Sequence, residues 1–326
     1  MGVSCQILIN KPKGGHSPGQ SVNGVVKYAL DQPLEVNCVM LSLIGKGYCR
    51  WSESKTVNKK RRTVYYTGKE EYYKTSINVI EKNSDEVQII PVGSYEIPFE
   101  FFLPLGIPPS FKGYHGYVSH MLRLKFKRPG IFKIDKRFFS EFPVRSCING
   151  EAEGPLVFGV EKTLTKPFSK RKHVVNLKVN IDKTSLTPED KAHLDLVVTN
   201  DTSITITDIK SELIQRITYT ANCGRTNVCD KILKQSTVKS TSIPNDAVAN
   251  LRQEIATLPD MVSINTKVIK VEFKLRVTVR LPLPHLNAPV EIPIVIGEKL
   301  EREESPEDDP PPSYWEVMNE EEKVKE

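Results

Sequence analysis

Two antiparallel β-sandwiches in tandem, followed by an acidic tail, form the all-β architecture that these 326 residues predict. Three observations predict it. Apolar residues recur at alternate positions in many short segments. Proline and glycine punctuate those segments, as in SPGQ, DQP, RPG and PLGIPPS, and no long helical pattern separates them, which disfavours a parallel sheet with helical crossovers. The strand-rich sequence also divides into two parts of similar length, residues 1–165 and 166–297, and strand character stops after Gly297.

The elements follow in order. QSVNGVVKYAL alternates through Val22, Val25 and Tyr28. LEVNCVMLSLIGKGYCRW is longer and apolar on both parities, with Val36, Cys38, Met40 and Ser42 on one side and Val39, Leu41 and Leu43 on the other. Such a strand is covered on both faces or twists across a sandwich core. TVYYTG, EYYKTSINVI, EVQII, YEIPFEFFL, YVSHMLRLKF and FFSEFPV complete the first set. The pattern weakens between residues 151 and 172, where the interdomain connection is expected. The second set comprises VVNLKVNID, HLDLVVTN, ITDIKSELIQRITYTA, KILKQSTVKS, TKVIKVEFKLRVTVRLPL and VEIPIVIG. In it Val271, Phe273, Leu275, Val277, Val279 and Leu281 share one parity, while Lys270, Glu272, Lys274, Arg276, Thr278 and Arg280 share the other, so one face is core and the other solvent. DAVANLRQEIATL places Val248, Leu251 and Ile255 three and four apart, and this spacing predicts a helix.

Charge is unevenly distributed. Residues 298–326 hold twelve acidic and four basic side chains, whereas 1–297 hold 42 basic against 28 acidic. A basic body with an acidic tail points to an anionic partner surface (lipid, nucleic acid or phosphorylated protein) or serves solubility alone. The opening MGVSCQILINKP lacks a basic region before a long apolar core, so no signal peptide is expected. No apolar run approaches a membrane span. Gly2 would suit myristoylation, but Gln6 stands where that motif needs Ser or Thr. Cys5, Cys38, Cys49, Cys147, Cys223 and Cys229 form no close CxxC, and reduced thiols are the simplest reading. Asn200 opens a formal sequon, NDT, that should be silent if the chain never enters the secretory route.

Three stretches carry candidate chemistry. Pro311, Pro312, Ser313 and Tyr314 form PPxY within the acidic tail, which is expected to be disordered. Consecutive prolines hold the backbone near polyproline II, so an aromatic groove can accept Pro311 and Pro312 while a neighbouring pocket takes Tyr314, as WW modules do. Pro108, Pro109, Ser110 and Phe111 differ mainly by the missing phenol oxygen and are expected in a buried turn instead. NKKRRTVYY supplies Lys59, Lys60, Arg61 and Arg62 at an expected hairpin tip, and KPFSKRKH supplies Lys170, Arg171 and Lys172 in the connection. One or both would meet an anionic surface, either phospholipid headgroups or a phosphorylated receptor tail, with plain solvated loops as the alternative. A nuclear-import signal is a third reading of KKRR. Nucleic acid is not expected, because no stacking module accompanies the charge. His16, His115, His120, His173, His193 and His285 show no metal-ligand spacing, and GGHSPG lacks the lysine and hydroxyl of a phosphate-binding loop. No enzyme, metal or cofactor is therefore expected.

A family resemblance emerges from several stretches taken in order. GVVKYAL, LSLIGKGYCRWSES, VGSYEIPFEFFLPLGIPPSFKGYHGYVSHMLRL, VEIPIVIG from Val290 to Gly297, and the final PPSY together resemble the alpha-arrestins, or arrestin domain-containing proteins, over roughly residues 3–318. The resemblance implies two arrestin-type, immunoglobulin-like sandwiches. It also implies a cytoplasmic adaptor, peripheral at plasma membrane and endosomes, that brings HECT-type ubiquitin ligases to receptor or transporter cargo for endosomal sorting. A retromer-type or beta-arrestin-like scaffold without ligase recruitment is the alternative. His120 departs from the family pattern, where a tyrosine is expected, and a single PPxY is present.

Overall fold

In the computed structural model, residues 2–12, 14–57, 60–80, 87–130, 134–148, 155–164 and 173–299 are described. The first sandwich contains β1 (Val3–Ile9), β2 (Ser21–Leu30), β3 (Leu34–Val36), β4 (Cys38–Val57), β5 (Lys60–Ile80), β6 (Gln88–Ile90), β7 (Gly93–Phe102), β8 (Phe111–Lys112), β9 (Gly116–Lys127), β10 (Lys136–Phe142) and β11 (Cys147–Ile148). One sheet runs β1-β2-β7 and the other β10-β9-β4-β5, with β8 added to β9, while β3 pairs β6. Val22, Val26, Tyr28 and Leu30 on β2 meet Val39, Leu41 and Leu43 on β4 and Leu122, Leu124 and Phe126 on β9 in a closed core. Val26, not Val25, continues the inward parity of β2.

The second sandwich contains β12 (Leu156–Leu164), β13 (His173–Ile181), β14 (Ser185–Leu186), β15 (Lys191–Asp201), β16 (Asp208–Thr220), β17 (Thr226–Lys239), β18 (Ala247–Ala256), β19 (Ile264–Asn265), β20 (Ile269–Arg280), β21 (Ala288–Ile296) and β22 (Glu298–Lys299). Its sheets run β12-β13-β15-β18 and β14-β21-β20-β16-β17, with β19 added to β20. The alternation along β20 holds: Val271, Phe273, Leu275, Val277, Val279 and Leu281 are all buried.

Three expectations are corrected. The segment read as a helix is strand β18, paired along its length with β15. Val248 faces solvent, and Leu251, Gln253 and Ile255 point inward with period two. The helical spacing was accidental, and it hid an inward Gln253 whose Oε1 accepts from Ser211 at 2.5 Å. The boundary at residues 165 and 166 is also displaced, because β12 is hydrogen-bonded to β13 and so belongs to the second sandwich. Finally, Glu298 and Lys299 are not yet tail: as β22 they pair in parallel with β11. Asn200, the sequon residue, is packed inside the second sandwich. Its amide is fully buried and donates to the carbonyls of Ile204 (2.9 Å) and Pro244 (2.7 Å). All six cysteines are free thiols.

The sandwiches share a seam. β4 feeds Cys49 and Trp51, β5 feeds Tyr66, and β9 feeds Val118 into the core of the second sandwich. Cys49 Sγ lies 3.4 Å from the Thr220 carbonyl, Asn222 N donates to the Thr67 carbonyl at 3.0 Å, and Lys69 N donates to Asn222 Oδ1 at 2.8 Å. Glycines let the backbones come this close. A Cβ at Gly68 would overlap the Thr220 carbonyl oxygen, and one at Gly113 would overlap the Tyr219 hydroxyl. Neither neighbour can retreat easily, since Tyr219 is fully buried and the Thr220 oxygen belongs to the backbone of strand β16. Gly68→Ala should therefore cost about 2–3 kcal/mol of stability, read as a lowered denaturant midpoint. A midpoint equal to that of the unsubstituted protein would show that the seam is not a tight contact.

Candidate functional site

Pro311, Pro312 and Tyr314 lie outside the described residues, as do Lys59, Lys170, Arg171 and Lys172. Lys60, Arg61 and Arg62 are described and exposed at the start of β5. The register there pairs Lys55 with Arg62, Thr56 with Arg61 and Val57 with Lys60. Directly paired residues share a face, so Lys55, Arg62 and Lys60 point to one side of the two-stranded arm and Arg61 to the other. Like charges in a directly opposed pair are destabilising. None of the four forms an ion pair among the described residues. The arm is braced by aromatic rings: Lys55 Nζ sits 5.3 Å from the Tyr66 ring centre, and Arg50 Cζ sits 4.7 Å from that of Tyr65. Trp51 stacks on Tyr66 at 5.5 Å.

A second cationic surface escaped the sequence reading. On the outward face of β10-β9-β4-β5, one cross-strand row holds Phe139, Arg123, Ser42 and Ser76. Flanking rows add Lys46, Lys74, Lys125 and Arg137. Asp135 neutralises part of this face, since Lys125 Nζ lies 2.9 Å from it and Arg137 Nη2 3.7 Å. The hydrogen bond from Lys125 holds the Asp135 carboxyl below its usual range. Arg123 has a buried Nε with no hydrogen-bond partner. These cations come from separate strands and form no run, so only the sheet register could assemble them.

The second sandwich differs. On its outward face Glu291 is held between Lys274 (2.7 Å) and Arg276 (2.6 Å), and both contacts keep its carboxyl below the usual range. Arg280 meets Asp208 at 3.1 Å, and Arg216 meets Asp230 through two hydrogen bonds of 2.7 and 2.6 Å. These cations of the second sandwich are paired, whereas Lys55, Lys60, Arg61 and Arg62 of the first have no carboxylate partner among the described residues.

The internal PPSF segment is packed, as expected. Pro109 is buried, Ser110 Oγ accepts from Val144 N at 2.9 Å, and the Pro108 carbonyl accepts from His120 Nε2 at 2.9 Å. That carbonyl can only accept, so Nε2 carries the proton and Nδ1 accepts from the Tyr73 hydroxyl at 2.8 Å. Both ring nitrogens of His120 thereby have a partner. Among the described residues no group of three or more His, Cys, Asp or Glu side chains could hold a metal ion, and no helix is long and apolar enough to cross a membrane.

Comparison with known proteins matches this architecture. The family profile described as Arrestin (or S-antigen), N-terminal domain, matches residues 5–149, and that described as Arrestin (or S-antigen), C-terminal domain, matches residues 171–300. The chain belongs to the arrestin domain-containing protein family. It is alpha-arrestin-like. Arrestin domain-containing protein 17 of Caenorhabditis elegans is 24% identical over 306 residues, covering 90% of this chain and 70% of that protein. Arrestin domain-containing protein 1 of Homo sapiens is 24% identical over 298 residues, covering 90% and 64%. Arrestin domain-containing protein 5 of Homo sapiens is 24% identical over 294 residues, covering 85% and 83%. This arrestin therefore spans under two thirds of the human protein 1.

The histidine has a measurable consequence in this arrestin. Burial lowers the His120 pKa from 6.5 to about 4. Above pH 6.5 neither folded nor unfolded chain protonates it, and its contribution to stability is complete. As pH falls from 6.5 towards 4 the unfolded chain takes up the proton first, so stability should drop by about 3 kcal/mol across that window. Urea midpoints at pH 7, 5 and 4 would show it. The His120→Asn variant should have a shallower slope, and an equal slope would assign the acid lability to other groups.

Proposed function

We propose that this arrestin is a non-enzymatic adaptor. Its tail captures WW-domain HECT-type ubiquitin ligases through Pro311, Pro312 and Tyr314, while the two-sandwich body holds membrane-protein cargo. The observation that carries the reading is PPSY, placed a short distance beyond the last described strand residue, Lys299. Family membership supports it, and the packed state of the similar PPSF removes that segment as a rival docking motif. The mechanism is proximity: two macromolecules held on one chain meet at high effective concentration, and the chain supplies no chemistry.

The body's side of the reading rests on charge. The unpaired cations of the β4–β5 arm, together with Lys59, suit an anionic phospholipid surface or the acidic side of a cargo. A chain acting in this way works in the cytoplasm, peripheral at plasma membrane and endosomes, and passes cargo into endosomal sorting.

Two experiments test the reading. A tail peptide should bind a WW module at about micromolar Kd, and Tyr314→Ala in the full chain should lower ligase capture at least ten-fold. Phosphate on Tyr314 should do the same, because it adds charge and bulk to a ring that must enter a pocket. Equal capture by all forms would sink the recruiting role. Reversal of Lys59, Lys60, Arg61 and Arg62 to glutamate should abolish flotation with vesicles containing about 30% phosphatidylserine, with each charge near the surface worth about 1 kcal/mol. Undiminished flotation would remove the arm from lipid binding.

A further inference from the structure

One face of the β4–β5 arm is rich in hydroxyls. The register pairs Thr56 with Arg61, Ser54 with Thr63, Ser52 with Tyr65 and Arg50 with Thr67, and directly paired residues share a face. All of these except the partly buried Thr67 are exposed. The opposite face holds Trp51 and Tyr66, which enter the second core, so the hydroxyl face points away from the second sandwich. Within it Thr63 stands between two arginines. Arg61 lies two residues before it on the same side of β5. Arg50 lies over the ring of Tyr65, two residues after it, with Cζ 4.7 Å from the ring centre. Neither arginine has a carboxylate partner among the described residues.

We infer that Thr63 is the acceptor site of a protein kinase that reads basic residues, and that its phosphate switches off the positive charge of the arm. The residues just before it, Lys60, Arg61 and Arg62, are consecutive cations, a pattern that suits a kinase cleft lined with carboxylates. The rival hydroxyls on the same face lack it: Ser52 follows Trp51, Ser54 follows Glu53, and Thr56 follows a single cation, Lys55. β5 is the last strand of its sheet, so one side of its extended backbone has no strand partner and lies open to a kinase groove. In the transfer the Thr63 oxygen bonds the γ-phosphorus of ATP, and the bond from that phosphorus to the β–γ bridging oxygen breaks. ADP leaves, and the hydroxyl proton passes to the catalytic carboxylate of the kinase. The phosphate brings about two negative charges to an arm whose cations, Lys55, Lys60, Arg61 and Arg62, lack carboxylate partners among the described residues. Arg61 and Arg50 are placed to hold it by charge-assisted hydrogen bonds, which withdraws them from any other anion. Release from a phospholipid surface follows. That effect rests on the reading of the arm given above, whereas the acceptor site does not.

The full chain, ATP and the catalytic subunit of cyclic-AMP-dependent protein kinase, which selects arginines before its acceptor, test the site. Peptide mapping by mass spectrometry should place the main phosphate on Thr63. Thr63→Ala should lower incorporation about ten-fold, Thr63→Ser should restore it, and joint Arg61→Ala and Arg62→Ala should slow it by about the same factor. Phosphorus NMR of the modified chain should show the second phosphate ionisation below its usual pH of about 6, because the arginines favour the dianion, and Arg61→Ala should raise it. Flotation with vesicles containing about 30% phosphatidylserine should fall about ten-fold on phosphorylation. Phosphate found elsewhere, or none at all, would overturn the acceptor site. An ionisation unmoved by Arg61→Ala, or equal flotation with and without phosphate, would overturn the switch. If the unmodified chain fails to float, the lipid reading of the arm falls instead, and the phosphate map and the titration still decide the site.

Discussion

The twenty residues of β4 serve two hydrophobic cores at once. Val39, Leu41 and Leu43 close the first core, and Cys49 and Trp51, further along the same strand, enter the second. β5 and β9 do likewise with Tyr73 and Tyr66, and with Leu122 and Val118. The ends of three strands of one sandwich are therefore part of the interior of the other. Rotating the sandwiches against each other would pull these side chains out of a packed interior, where volume changes of a methylene are already felt. The glycines at the crossing are a consequence of the same constraint. Where backbone meets backbone there is no room for a Cβ, and Gly68 and Gly113 mark those places.

This shared interior orders the surface features. It fixes the base of the β4–β5 arm by clamping Trp51 and Tyr66, so the cations beyond them are carried on a rigid root. It also holds the ends of β11 and β22 within hydrogen-bonding distance, which makes the bridge at Cys147 and Glu298 geometrically available. Electrostatics then separates the two bodies. On the second sandwich Glu291, Asp208 and Asp230 pair with Arg276, Arg280 and Arg216, while on the first Lys55 and Arg62 stand directly opposite each other. A surface whose charges are already paired gains little from an anionic partner. One whose like charges face each other gains by binding it.

Legibility in the sequence followed from periodicity. β20 could be read residue by residue because one of its faces is core and the other water, which writes a period of two into the sequence. β4 was legible as a strand covered on both sides. That it crosses from one core to another was not, because either core would select the same apolar residues. β18 misled because small Ala247 and Ala249 and polar Gln253 occupy inward positions, so its apolar residues fell at helical spacing. β12 was lost in the weak pattern before the basic connection, since an edge strand has one partner and only a half-covered face. The candidate sites divide in the same way. PPSY and KKRR are contiguous and were read directly. The Arg123 face draws its residues from strands far apart in the chain.

By itself the sequence determined the all-β class, the two sandwiches, the family likeness and the linear motifs, because each is written in neighbouring residues through alternation, turn chemistry or a short string. Only the tertiary structure decided where the sandwiches meet, which strand the Glu298 backbone pairs with, and which cations face a carboxylate. The physical reason is that strand pairing brings distant residues within hydrogen-bonding reach, and the local pattern of a strand is the same whichever neighbour it receives.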